Sequence, residues 1–179
     1  MATATEYRRH TIKSMKVAGE WSARAFRHKV AVGNVHTGAT EQDAIVAVKN
    51  ALDATRSGQL ALRCAGIPTA LEYRALLATI IMTVEQRAML DAHLRASDHI
   101  LTATELAHAG GYDSYVSANN QYGKLARKIA EELEWEPPIF RGQQTWTFAL
   151  ATGADDGEDS NTPNWRWRLR TELVEALQR

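Results

Sequence analysis

The residues best suited to chemistry lie in Ser114-Tyr115-Val116-Ser117-Ala118-Asn119-Asn120-Gln121-Tyr122-Gly123-Lys124. Side-chain amides can bond an adenine edge with two hydrogen bonds, and a serine hydroxyl can bond several base edges. Lys124, Arg127 and Lys128 follow one helical turn later, where phosphate contacts would fall. The bland alternative is a solvated helix face capped by Ser114, with Tyr115 and Tyr122 half buried. Asparagine competes for backbone hydrogen bonds and serves helix stability poorly, so something other than propensity placed Asn119 and Asn120 there. Ser114, Tyr115, Ser117, Asn119, Asn120 and Gln121 are the expected base-reading set.

Two further clusters are basic. Trp165-Arg166-Trp167-Arg168-Leu169-Arg170 alternates strictly, putting three apolar residues on one strand face and three arginines on the other. Arg166 and Arg168 could hold a phosphate backbone, or merely face water while the tryptophans find a core. Toward the N-terminus stand Arg8, Arg9, Lys13, Lys16, Arg24, Arg27 and Lys29, with His10 and His28 nearby and Trp21 and Phe26 interleaved. The acids cluster instead in EELEWE (131–136) and DDGED (155–159). Asp155, Asp156, Glu158 and Asp159 would repel DNA unless they point away or meet a protein partner. Their spacing fits no calcium loop.

Catalytic patterns are missing from the sequence. The six histidines show no HxxxH or HxH spacing, and there is no GxSxG or P-loop. The single cysteine, Cys64, excludes an internal disulfide and a Cys-only zinc site. Cofactors and metals are therefore not expected, nor is enzymatic activity. With 179 residues, 45% hydrophobic and 23% charged, the composition is that of an ordinary globular chain. Net charge is zero, so local sign governs any polyanion binding. Residues 1–60 carry nine Lys and Arg against five Asp and Glu. No apolar run suits a membrane span or a signal peptide, which makes the cytoplasm the expected location.

The elements that must position these residues read as follows. Residues 7–32 are extended, in two or three strands, followed by a helix over about 41–55 opened by Thr40 and Asp43. Arg56-Ser57-Gly58-Gln59 is a linker candidate, dividing a module at 1–58 from a region at 59–179. Helix starts follow at Thr69 with Glu72, Thr83 with Gln86, and Thr102 with Glu105. The first carries an apolar face of Leu71, Leu76, Leu77, Ile80 and Ile81. Gly110-Gly111 ends a short helix at Ala103–Ala109, and a long helix runs from Ser114 to Glu134 before Pro137-Pro138. Thr145–Leu150 and Trp165–Arg170 alternate as strands around a loop at 151–164, and Thr171–Gln178 closes as a helix. The helices at 70–97 could form a dimer interface or the core joining the two modules.

Helix, short helix, tight turn, longer helix and hairpin is the order of a winged helix, whose second helix reads the groove. The expected fold is therefore α+β: a small N-terminal strand-plus-helix module, a helical region and a C-terminal winged helix-turn-helix. The stretch from Gln86 to Leu133, above all Thr102, Leu106, Gly111-Tyr112, Tyr115, Ala118-Asn119 and Tyr122-Gly123, resembles an uncharacterised bacterial segment found alone or beside HNH nuclease domains in restriction-like proteins. That resemblance implies a DNA-associated role, possible modified-cytosine recognition included; no HNH motif is present, so nuclease activity does not carry over. With its arginines on one face and a helix packed behind, the N-terminal ribbon also resembles three-strand-plus-helix modules that lay a sheet into the major groove; the alternative is a small α+β domain whose arginines only solubilise it. Double-stranded DNA is the expected partner, with a homodimer and a protein contact at the acidic loop as further candidates. The competing account is a protein-binding adaptor or inhibitor of a phage-defence or anti-defence type.

Overall fold

The computed structural model describes residues 3–140, 142–154 and 165–178. It is a mixed α and β structure in two compact units, Met1–Arg63 and Cys64–Arg179. The acidic residues 155–159 lie outside the described residues.

In the first unit, β1 (Thr3–Tyr7), β2 (His10–Val17), β3 (Glu20–Arg27) and β4 (Val30–Gly38) form an antiparallel meander in sequence order. Side chains alternate between its faces. Ile12, Ser14, Ala23 and Ala25 are buried on one face against Ala44, Ile45 and Val48 of α1 (Glu41–Leu62). Small residues on β3 let the helix lie close. The Ser14 hydroxyl, buried there, donates to Glu41 Oε1 at 2.6 Å, so no polar group is left unpaired at that contact. Arg24 and Arg27 are three residues apart and fall on opposite faces, which corrects the expectation of arginines gathered on one face. The sequence reading also misses β1 and stops α1 too early. Arg56–Gln59, expected as a linker, is helical, because nothing there breaks a helix but one glycine that costs about 1 kcal/mol. The boundary falls at Arg63 instead.

The second unit begins with α2 (Ala70–Leu77) and α3 (Val84–Arg95), then β5 (Ile100–Thr102), α4 (Ala103–Ala109) and α5 (Tyr115–Glu132). The two-residue strands β6 (Ile139–Phe140) and β7 (Gln143–Gln144) pair with each other. A 3-10 turn at Trp146–Ala149 leads to β8 (Ala151–Gly153), β9 (Arg166–Leu169) and α6 (Thr171–Leu177). All three threonine starts carry reciprocal capping boxes: Thr69 with Glu72, Thr83 with Gln86, and Thr102 with Glu105. Strand β9 sits between β5 and β8, so the sheet runs β5-β9-β8 with all pairs antiparallel.

Thr145–Leu150 is not a strand, contrary to its alternation. Its carbonyls find other partners: Tyr73 Oη donates to Ala149 O at 2.7 Å, and the Arg170 guanidinium donates to Phe148 O. The strand that pairs β9 starts one residue later, at Ala151. The apolar face expected on α2 is also narrower. Leu76 and Ile80 are buried, while Leu71 and Ile81 are exposed; α2 ends at Leu77, so Ile80 and Ile81 do not continue its face, and Leu71 in its first turn points away from the core.

One core joins Tyr73 and Leu76 of α2, Met89 and Leu90 of α3, Leu106 of α4, the inner stripe of α5, and Trp165, Trp167 and Leu169. The helices at 70–97 thus contribute to the core of the second unit itself. Full burial of a leucine such as Leu106 stabilises by about 1.5–3 kcal/mol. Two glycines matter for the close packing. A Cβ at Gly110 would stand 2.9 Å from Met89 Cγ and the Tyr112 ring, and one at Gly153 would stand 2.6 Å from Trp165 Cζ2.

Candidate nucleic-acid interface

The tight turn between α4 and α5 fixes where the candidate helix starts. Gly110 ends α4 in helical geometry, Gly111 takes the left-handed conformation (φ 72°), and the Ser114 hydroxyl accepts the Val116 N–H at 3.2 Å. From there α5 is amphipathic. Ala118, Tyr122, Leu125, Ala126, Ile129 and Ala130 are buried. Ser117, Asn120, Lys124, Arg127 and Lys128 are exposed, and the first four recur at spacings of three and four, the pitch of one helix face.

Sequence reasoning therefore divides within its own set. Ser114, Ser117 and Asn120 are exposed, whereas Tyr115, Asn119 and Gln121 are half-buried at the margins of the face. Among the described residues, the side-chain amides of Asn119, Asn120 and Gln121 have no hydrogen-bond partner. Of the cations, Lys124 has no ion-pair partner among the described residues. Arg127 Nε donates to Glu131 Oε1 at 2.8 Å, and its guanidinium lies 5.2 Å over the Trp146 ring. Lys128 Nζ donates to Ile81 O at 2.7 Å. The exposed charge beside the amides is thus concentrated on Lys124.

Buried polar groups hold this helix in place. His93 Nε2 faces the Trp167 carbonyl and Nδ1 faces Tyr122 Oη, both at 2.9 Å. A carbonyl only accepts, so Nε2 carries the proton and donates, while the tyrosine hydroxyl donates to Nδ1. Burial lowers the His93 pKa to about 4, keeping the imidazole neutral, and burial raises that of Tyr122, keeping it a donor. One histidine of α3 thus ties α5 to β9. Gln86 does similar work: it closes the cap of Thr83 and its Nε2 donates to Gln121 O at 3.3 Å. The capping motif was legible, but not its second bond to α5.

Arg166 and Arg168 project from the outer face of the three-stranded sheet, whose inner face packs into the core shared with α5. They belong to another layer from the exposed face of α5. Arg166 neighbours Glu105, whose carboxyl is held below its ordinary value first by hydrogen bonds from Thr102 and to a lesser degree by the Arg166 charge. Arg170 leaves this series: its guanidinium lies 5.1 Å over Trp135 and bonds Phe148 O. Among the described residues, no group of three or more His, Cys, Asp or Glu could hold a metal ion, and no helix is long and apolar enough to cross a membrane. No protein-family model, curated protein or solved structure matches the chain.

Proposed function

We propose that the chain binds duplex DNA through α5, as a winged helix-turn-helix reader that acts by binding rather than catalysis. The observation that carries this reading is the exposed start of α5, where Ser117 and Asn120 present polar groups that have no partner among the described residues, beside Lys124. The order α3, β5, α4, α5, β8, β9 supports it, since a short helix and tight turn precede the candidate reading helix and a strand pair follows it. Asn120 is the principal base contact, with Ser114, Tyr115, Ser117, Asn119 and Gln121 around it. Lys124 holds phosphate, with Arg127 and Lys128 exchanging their present partners for it. Arg166 and Arg168, on the other layer, are auxiliary backbone contacts. The proposed setting is the cytoplasm of a bacterium, in restriction or defence, where a methylated cytosine would be a natural target.

The test is fluorescence anisotropy of the whole chain on duplexes with and without 5-methylcytosine across a salt series. The reading expects affinity to fall linearly on a log–log salt plot, with a gap between the two duplexes if the modification is read. Absence of binding at low salt would overturn it. A second reading, a protein-binding adaptor, is favoured by one observation: Ile81 and Val84 are 81% and 82% exposed at the corner between α2 and α3. Its mark would be a complex with a protein partner that I81S/V84S abolishes, alongside no duplex binding at any salt.

A further inference from the structure

We infer that the sheet face that α1 leaves open is an interface between two copies of this chain, stacked about a two-fold axis that crosses the strands at Met15 and Ser22. This does not rest on the reading of α5, and it uses none of the helices at 70–97.

A solvated face of an antiparallel sheet normally carries polar residues. Here Met15 and Val17 of β2 and Phe26 of β3 alternate onto the face away from α1, while the smaller Ser14, Ala23 and Ala25 take buried positions against it. Met15 and Val17 are 53% and 50% exposed. Apolar groups gathered in this way and rimmed by polar ones mark a contact surface. Among the described residues, the outward strand positions of this face carry two acids, Glu6 and Glu20, and two bases, Lys13 and Arg24. Their charges cancel, so the face favours neither a polyanion nor a polycation. It favours a surface that carries both signs.

The strand register identifies that surface as the face itself. Successive outward rows across β2 and β3 are Thr11 with Phe26, Lys13 with Arg24, Met15 with Ser22, and Val17 with Glu20. The Met15–Ser22 row therefore stands midway between the two bases and Glu20. A two-fold axis along that row lays β2 on β2 and β3 on β3 with direction reversed, within the range of aligned sheet packing. Met15 then meets the partner's Met15, Arg24 meets the partner's Glu20, and the Lys13 stem lies along the partner's Val17. Symmetry makes the Arg24–Glu20 pair form twice. Lys13 and Arg24 are like charges directly opposite, which destabilises a sheet standing alone; the partner's Glu20 offsets it. Both bases are already held in position: Lys13 Nζ lies 5.0 Å over the Phe26 ring, and Arg24 donates through Nε and Nη2 to Gly33 O at 3.2 and 2.9 Å. Glu6 is taken by the Thr11 hydroxyl at 2.7 Å, whereas Glu20 has no hydrogen bond or ion pair among the described residues. From strand spacing and rise, a four-stranded face of this length covers roughly 450 Å². Two such faces together come close to the roughly 1,000 Å² at which specific interfaces begin, so the dimer is a weak, reversible one in the micromolar range.

The experiment is sedimentation equilibrium of the full chain from low to high micromolar concentration, at low and high salt, with circular dichroism to check folding. The unsubstituted protein should dimerise reversibly, and more weakly at high salt. M15K sets two lysines against each other at the axis, while E20R or R24E sets like charges against each other twice. Each should raise the dissociation constant about tenfold or more. E20R/R24E re-forms both pairs with the charges exchanged and should restore the dimer. R95E makes the same charge change as R24E but on α3, and should leave the dimer unchanged. Met15 and Glu20 are exposed, so M15K and E20R keep the fold even if R24E, which gives up the bond to Gly33, does not. A protein monomeric at every concentration overturns the proposal. So does a dimer that M15K and E20R leave intact, a dimer that only I81S/V84S dissolves, or a folded E20R/R24E that stays monomeric.

Discussion

Asn120 and Asn119 are neighbours in sequence, yet the pitch of α5 exposes the first and half-buries the second. The two should not be equivalent. N120A is expected to cost about 1–3 kcal/mol on a preferred duplex and little on random sequence, with N119A the milder of the two; competition anisotropy on both DNAs checks it. Equal losses on both DNAs would remove base reading from Asn120. Gly123 offers a second test on the same helix. A Cβ there would meet only Thr147 Oγ1, at an ordinary 3.9 Å, so G123A should raise stability by about 0.5–1 kcal/mol. Denaturant unfolding measures this directly, and a stabilised G123A with weakened DNA binding would place the helix backbone close to the ligand.

Between β8 and β9 the packing is tighter than either strand's sequence announces. Trp165 and Trp167 stack edge-on, with ring centroids 5.7 Å apart, and Phe140 and Phe148 close around them. Gly153 stands where that aromatic group leaves no room, and the buried Trp165 ring has packed neighbours that prevent it from giving way. G153A should destabilise by roughly 1–3 kcal/mol, the usual cost of overpacking a core, and shift the tryptophan fluorescence of the folded protein. If G153A melts like the unsubstituted protein, β8 does not fix the position of β9 in the way described.

Charge and acid response separate the two units of the whole molecule. Of 21 Lys and Arg, ten lie in residues 1–63 against five of 21 Asp and Glu, leaving eleven against sixteen in the remainder. In the second unit, His93 is buried with its pKa lowered to about 4. A folded-state pKa below the ordinary 6.5 means that the unfolded chain binds the proton more readily. Stability is therefore full above pH 6.5 and declines as pH falls toward 4, by about 3 kcal/mol. In the first unit, the carboxyl of Asp53 is held below its ordinary 3.8, first by the Tyr7 hydroxyl, and that of Glu41 below its ordinary 4.5, first by Ser14. Those contributions persist until the carboxylates protonate at lower pH. Amide hydrogen exchange at pH 7 and pH 5 should show protection lost in 64–178 while 3–63 changes little; equal loss in both would contradict the assignment to His93.

Local chemistry was legible without a structure. Thr40, Thr69, Thr83 and Thr102 each open a helix, because a cap and its return bond span only four residues. The Gly110-Gly111 stop, the start of α5 at Ser114 and the alternation of Trp165, Trp167 and Leu169 with arginines are equally local. What depended on distant partners was not legible. β5 is three residues long and exists as a strand because β9 pairs with it more than sixty positions later. Thr145–Leu150 has a strand's alternation, but Tyr73 and Arg170 take its carbonyls and it turns instead. The sequence by itself determined where helices begin and which side chains are of a type able to bond base edges or phosphates. The tertiary structure decided which of those residues face outward, and that Lys13 and Arg24 stand side by side, because burial and strand register are set by contacts between segments that no local pattern specifies.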